Sequence, residues 1–144
     1  MKISQRILKI LEQVIWPQQK FTSIVLEADC LQNIMDFAKA NYPREFSAIL
    51  QGEIEKNTMN IKGLIYQHFH SNRTSSLMHM NLPMISHAVG SVHSHPSSST
   101  RPSDADLRFF AKTGVVHLII GYPYDLENIT CYDFEGNIRG FQTS

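Results

Sequence analysis

The segment Val92-His93-Ser94-His95-Pro96-Ser97-Ser98-Ser99-Thr100-Arg101-Pro102-Ser103-Asp104-Ala105-Asp106 holds the residues of this chain best suited to chemistry. Two imidazoles two residues apart, followed by a carboxylate eleven residues after the second, are three ligands of the kinds that zinc prefers. Three protein ligands leave the fourth tetrahedral position open for water or substrate. That is the arrangement of a catalytic zinc; structural sites usually close the shell with Cys. A site of this kind predicts a zinc hydrolase.

The elements that must position these ligands follow from residue type. In an extended chain residues i and i+2 point to one face, so Gly90 to His95, after the apolar Ala88 and Val89, would aim His93 and His95 at one point and turn Val92 and Ser94 away. Pro96 has no N–H for a ladder, which ends the strand at a sheet rim. Ser97 to Pro102 is a polar loop. Ser103 reads as a helix N-cap, with Leu107, Phe110 and Ala111 at helical spacing behind it and Gly114 as the stop. Asp106 then sits in the first helical turn, close enough to swing back onto a metal. The same Ser103-x-x-Asp106 is also the pattern of a capping box, in which both side chains satisfy backbone donors and nothing more. A His-x-His pair alone is weak evidence, since His68-Phe69-His70 is a second one; the eleventh residue after it is Asn81, not a carboxylate.

His93-Ser94-His95-Pro96, then six residues, then Ser103-x-x-Asp106 resembles the signature of the JAMM (MPN+) zinc metalloproteases, which include isopeptidase subunits of the proteasome lid and the signalosome. Glu45-Phe46-Ser47-Ala48-Ile49-Leu50-Gln51-Gly52 resembles that family's upstream glutamate element, and Ile119-Ile120-Gly121-Tyr122-Pro123-Tyr124-Asp125 is similar to its compact archaeal members. The likeness runs from about Ile24 to the C-terminus. It implies that His93, His95 and Asp106 bind one Zn²⁺, that Glu45 is the general base for the attacking water, and that Ser103 helps hold the tetrahedral oxyanion. No catalytic position departs from the pattern. Without the resemblance, Glu45 would read as a solvated charge before a buried strand. The resemblance further implies a cytidine-deaminase-like JAMM/MPN fold and a substrate of ubiquitin-like modifier proteins and their conjugates, cut after the modifier's C-terminal glycine. In the family, the segment after the glutamate strand grips the modifier's extended tail; here that segment includes Met78 and Met80. The alternatives are an MPN-type module that binds ubiquitin-like tails or partner proteins without catalysis, and a peptidase that processes a sulfur-carrier protein.

Composition sets the frame for these expectations. A chain of 144 residues with 42% hydrophobic and 18% charged residues is the size and make-up of one ordinary globular domain. Thirteen basic and thirteen acidic residues cancel, and no basic run gives a nucleic-acid footprint. No apolar run approaches the length of about 20 residues that spans a bilayer. Lys9 and Glu12 interrupt what would be the apolar core of a signal peptide. Cys30 and Cys131 are too few and too far apart for a disulfide framework; reduced thiols in a cytoplasmic protein are expected, with a bridge left open.

Residues 1–20 read as an N-terminal helical extension, with Ile3, Ile7, Leu11, Val14 and Ile15 on one stripe and Pro17 as its stop. The stripe suits packing on the protein's own body, a homodimer contact, or a membrane surface, in that order. The resemblance implies that residues 21–144 form the JAMM/MPN metalloprotease domain. Ser23 to Leu26 suggests a strand; Asp29 caps a helix through Leu31, Ile34, Met35 and Ala38 to Asn41; Phe46 to Leu50 is a strand buried on both faces. Glu53 to Asn60 suggests a hairpin turn, and Met59 to Phe69 the next strand. Leu77 to Leu82 reads as a short edge strand, Val115 to Gly121 as a buried strand, and Ile129 to Phe134 and Ile138 to Gln142 as two closing strands. His79, His87 and His117 have no spaced partners and read as surface or satisfied histidines. The irregular alternation of strands and helices predicts a mixed α/β (α+β) architecture, a curved sheet flanked by helices.

Overall fold

A computed structural model of the chain describes residues 20–66 and 87–144. The elements run β1 (Ser23–Leu26), α1 (Ala28–Asn41), β2 (Ser47–Glu55), β3 (Thr58–Tyr66), β4 (Ala88–His95), α2 (Asp104–Thr113), β5 (Val116–Gly121), a short 3₁₀ turn at Leu126–Asn128, β6 (Ile129–Tyr132), β7 (Ile138–Arg139) and β8 (Gln142–Thr143). The expected N-terminal helix, the His68/His70 pair, His79, and the Leu77–Leu82 strand with Met78 and Met80 lie outside the described residues.

The strands form one mixed sheet in the order β7-β6-β5-β4-β2-β3-β1-β8. At its centre β2 lies antiparallel to β4, and β4 lies parallel to β5 with α2 as the crossover between them. Ser47 to Leu50 of β2 are all buried, as a strand covered on both faces must be. Ala48 and Leu50 join Cys30, Leu31, Ile34 and Ala38 of α1 in one cluster, whereas Ile49 joins Phe109 and Phe110 of α2 in the other. Thus α1 and α2 cover opposite faces, and the period-two alternation of the strands feeds both cores. Both cysteines are free thiols in the α1-side core, and burial pushes them up to about 11 for Cys30 and about 12 for Cys131. Among the described residues no helix is long and apolar enough to cross a membrane.

Four details differ from the sequence-based expectation. Helix α1 starts two residues earlier, with Glu27 at the N-cap and Asp29 within its first turn, where a carboxylate still complements the helix dipole. The hairpin turn is tighter: only Lys56 and Asn57, both at positive φ, separate β2 from β3, so Glu53 to Glu55 and Thr58 to Asn60 pair in strands. In α2 the buried face is Asp106, Phe109, Phe110 and Thr113, while Ala111 is exposed. Finally, Ile138 to Gln142 is not one strand. β7 pairs with β6 at one edge of the sheet, and β8 pairs with β1 at the other. Only Gly140 and Phe141 lie between them, so three Cα steps, at most about 11 Å, join the two edges. The sheet must therefore curl until its edges meet, and the Arg139 guanidinium sits 5.5 Å over the Phe21 ring across that seam. Register shifts at Gln51/Gly52 and Leu50/Gln51 add local twist in the same sheet.

Candidate metal centre

Strand β4 delivers His93 and His95 to the α2 side of the sheet at its C-terminal end, and α2 begins directly above them. His93 Nε2 lies 3.2 Å from His95 Nε2 and 3.2 Å from Asp106 Oδ1, and His95 Nε2 lies 3.4 Å from Asp106 Oδ2. Zinc bonds of 2.0–2.1 Å at tetrahedral angles put neighbouring ligand atoms about 3.3 Å apart. The imidazole pair matches that edge, and each imidazole lies at that distance from one of the two carboxylate oxygens, so the donor set fits one zinc ion, and these three residues form a group able to hold a metal. His93 and Asp106 are buried, 2% and 5% exposed, whereas the His95 side chain keeps 14% of its surface, which leaves one side of the triangle reachable from solvent.

The ligands are oriented from outside the triangle. His95 Nδ1 is 2.8 Å from the Ser99 carbonyl oxygen, an acceptor, so Nδ1 carries the proton and Nε2 presents its lone pair inward. Asp106 forms the capping box: the Ser103 N–H donates to Oδ2 at 2.9 Å, and the Asp106 N–H donates to Ser103 Oγ at 3.1 Å. The two sequence readings of Ser103 and Asp106 therefore coexist. The box fixes the carboxylate that faces the imidazoles, and the α2 N-terminus favours its negative charge. Burial alone would push the Asp106 carboxyl up, but in the metal-free site hydrogen bonds from the protonated His93 and His95 rings, the charge of His93, and the Ser103 N–H outweigh it and hold the group far below the usual carboxylate range. His95 is shifted upward, first by its hydrogen bond to Asp106, against burial, with help from the Ser99 carbonyl and the charges of Asp106 and Glu45. The triangle thus strongly favours a bound cation, proton or metal.

The loop between His95 and Ser103 is pinned by the far end of the sheet. Asn128 Nδ2 donates to the Ser98 and Tyr122 carbonyls at 2.9 and 3.0 Å, the Tyr132 hydroxyl donates to the Thr100 carbonyl at 2.7 Å, and the Thr100 and Thr130 hydroxyls pair at 2.7 Å. Gly121, opposite His95 in the β4–β5 register, permits this approach: a Cβ there would stand 2.6 Å from Asn128 Nδ2 and 2.9 Å from the Ser98 carbonyl oxygen. These partners are invisible to motif reasoning because most contacts go to backbone carbonyls, which any sequence supplies.

Glu45 is exposed and precedes β2. The β2–β4 register pairs Ser47 with His93, and the Ser94 N–H donates to the Phe46 carbonyl at 2.9 Å. One further step of that register places Glu45 across from His95. Its charge reaches both His95 and Tyr124, so it stands at the same rim as the triangle. Ser103 is exposed at the α2 N-terminus. His117 proves to be a satisfied histidine, fully buried, with Nδ1 2.8 Å from Ser91 Oγ and Nε2 2.9 Å from the Gly114 carbonyl. It stacks on Phe110, which also meets the Tyr132 ring at 5.8 Å and the His93 ring at 6.3 Å.

Comparison with known proteins agrees with this geometry. Residues 27–134 match the family of prokaryotic homologues of the JAB domain. A probable metalloprotease of Haloferax volcanii is 32% identical over 126 residues, which cover 79% of this chain and 75% of that protein. A solved structure of the JAMM metalloprotease-like zinc site in the proteasome and signalosome is similar at 32% identity and a TM-score of 0.64, over 85% of this chain and 99% of that one. A JAB1/MPN-domain protein of Archaeoglobus fulgidus is similar at 33% identity and a TM-score of 0.64, over 85% and 98% of the two chains.

Proposed function

This chain belongs to the JAMM/MPN metalloprotease family, among the prokaryotic homologues of the JAB domain, and on that premise we propose that it is a zinc-dependent isopeptidase cutting after the C-terminal glycine of ubiquitin-like modifier proteins. The observation that carries this reading is the cluster of His93, His95 and Asp106, with the imidazole nitrogens 3.2 Å apart and each 3.2 or 3.4 Å from its own carboxylate oxygen, set at the rim where Glu45 stands. Zinc in such a site lowers the pKa of a bound water to about 7 and polarises the scissile carbonyl.

The chain's own residues supply the rest. Glu45, exposed beside the partly buried His95, takes the proton of the attacking water and passes it to the leaving amine. A positioned carboxylate in that role is worth about 10²–10⁴ in rate. Ser103 Oγ already accepts the Asp106 N–H, so its own hydrogen is available to the oxyanion that develops on the substrate carbonyl. The modifier's extended tail is taken up by the segment that contains Met78 and Met80, as the family likeness implies. The partners are then ubiquitin-like proteins and their conjugates, and two free buried thiols suit a cytoplasmic location.

The test is a ubiquitin-like protein joined through its terminal Gly-Gly to a lysine side chain. Zinc-loaded protein should release the modifier at the glycine, a chelator should stop the reaction, and added zinc should restore it. Glu45→Gln should keep about one zinc per chain and lose a factor on the order of 10²–10⁴ in turnover. Tail binding without cleavage by the zinc-loaded protein would sink the isopeptidase and leave an interaction module; wild-type turnover in Glu45→Gln would remove that residue from the chemistry.

A further inference from the structure

Between the two imidazoles lies a residue that the mechanism above does not use. Ser94 is fully buried, and strand alternation turns its side chain to the α1 face, away from His93 and His95. There its hydroxyl accepts the Phe46 N–H at 2.8 Å, while its own N–H donates to the Phe46 carbonyl at 2.9 Å. Ser94 therefore holds both backbone groups of Phe46, one with its main chain and one with its side chain. Phe46 is itself anchored in the core, 1% exposed, with its ring stacked on Phe37 at 5.7 Å. The next residue outward is Glu45, and from there back to Tyr42 the chain is exposed.

We propose that Ser94 is the positioning residue for Glu45. Its hydroxyl closes the last rung between β2 and β4, just outside the first strand residue, Ser47, so that the backbone leaves the sheet at a fixed place opposite His95. The inference rests on the isopeptidase reading, which gives Glu45 the proton transfer, and adds what makes that transfer possible. A general base has to stand within hydrogen-bond reach of the proton it takes. A carboxylate on an exposed approach segment meets that demand only if its backbone is clamped on the buried side. Ser94 does this from beneath the metal ligands without facing them, so the pattern His-Ser-His carries two functions on two faces: the outer residues ligate, and the middle one places the base. Serine or threonine can supply the acceptor oxygen at this position; alanine cannot.

The test compares the zinc-loaded wild type with Ser94→Ala and Ser94→Thr. Hydrogen exchange at the Phe46 amide reads the clamp without reference to turnover: exchange should be on the order of 10-fold faster in Ser94→Ala and return to the wild-type rate in Ser94→Thr. Zinc should stay at about one per chain in all three, because Ser94 does not face the site. On the Gly-Gly–lysine conjugate, kcat should fall by a factor on the order of 10–100 in Ser94→Ala with KM little changed, and recover in Ser94→Thr. In a Glu45→Gln background the same substitution should cost less than about twofold, since two residues acting through one step are not additive. Unchanged exchange at Phe46, zinc lost from Ser94→Ala, or a full further loss in the Glu45→Gln background would each overturn the assignment. Failure of the isopeptidase reading looks different: the zinc-loaded wild type itself leaves the conjugate uncut, whereas a fully active Glu45→Gln takes Glu45, and with it the need to position it, out of the chemistry. Failure of the inference alone is an inactive Glu45→Gln beside a fully active Ser94→Ala.

Discussion

With Asp106 Oδ1 3.2 Å from His93 Nε2 and Oδ2 3.4 Å from His95 Nε2, one carboxylate faces both imidazoles, and the group needs a cation to hold it together. A divalent ion satisfies all three ligands at once, whereas a proton satisfies one pair. Protein purified without added metal should hold about one zinc per chain, and His95→Ala should lose most of it. Equal zinc in both, after zinc is titrated back, would take His95 out of the ligand set. Behind the site, His117 carries the opposite physics. Burial first, with the charge of His93, pushes it down to about 4 against the Gly114 carbonyl, so the folded protein keeps the ring neutral. The unfolded chain binds that proton near pH 6.5, so the contribution of His117 is fully present above about pH 6.5 and drains as pH falls toward 4, by about 3 kcal/mol in all. His95, shifted upward, acts in the other direction: its stabilisation is present at low pH and lost as pH rises through its folded value. Urea unfolding of the metal-free protein at pH 7 and pH 5 should therefore show a steeper acid loss in the wild type than in His117→Gln. Equal slopes would locate the acid sensitivity elsewhere.

At the scale of elements, the N-terminus of α2 does two jobs through Ser103, and they can be separated. Ser103→Ala removes the acceptor for the Asp106 N–H and should cost about 1 kcal/mol of stability, whereas glycine, a tolerated N-cap, should cost a few tenths. If the hydroxyl also serves the oxyanion, both variants should lose turnover alike, by about 10²–10³. Turnover that instead follows the melting temperature would reduce Ser103 to a cap. The pair Ser103 and Asp106 also shows which parts of the site are legible in a sequence. A strand ending at Pro96 and a capped helix start are local events, governed by residues a few positions apart, so His93, His95 and Asp106 could be brought together from spacing alone. Glu45 could not. Its place opposite His95 depends on the pairing of β2 with β4, nearly fifty residues away along the chain, and only the family likeness singled it out. The Ser99 carbonyl that orients His95 leaves no trace in side-chain chemistry at all. The N-cap of α1 is hard to read from sequence for a related reason: Glu27 makes no side-chain capping bond, so the usual signal is missing where the helix begins.

For the whole molecule, the least legible feature is the closure of the sheet. Nothing local in Ile138 to Gln142 says that two residues pair with β6 and the next pair with β1, on opposite edges of an eight-strand order. The partners are chosen by the curl of the entire sheet, which a strand-by-strand reading does not contain. That closure has an energetic consequence. Gln142 and Thr143 pair with Val25 and Leu26, the Ser144 N–H donates to the Leu26 carbonyl at 3.2 Å, and Ser144 Oγ accepts the Ala28 N–H at 3.0 Å. The final three residues thus cover the edge of β1 and satisfy one of the open donors at the start of α1, which needs a partner because Glu27 offers none from its side chain. Deleting residues 142–144 should lower stability by about 1–3 kcal/mol, read as a fall in melting temperature of several degrees. The metal ligands sit on β4 and α2, with β2, β3 and β1 between them and β8 in the sheet order, so zinc content in the shortened protein should stay at about one per chain. Loss of zinc in parallel with the melting temperature would mean that the curl of the sheet, and not only the β4–α2 unit, sets the ligand triangle.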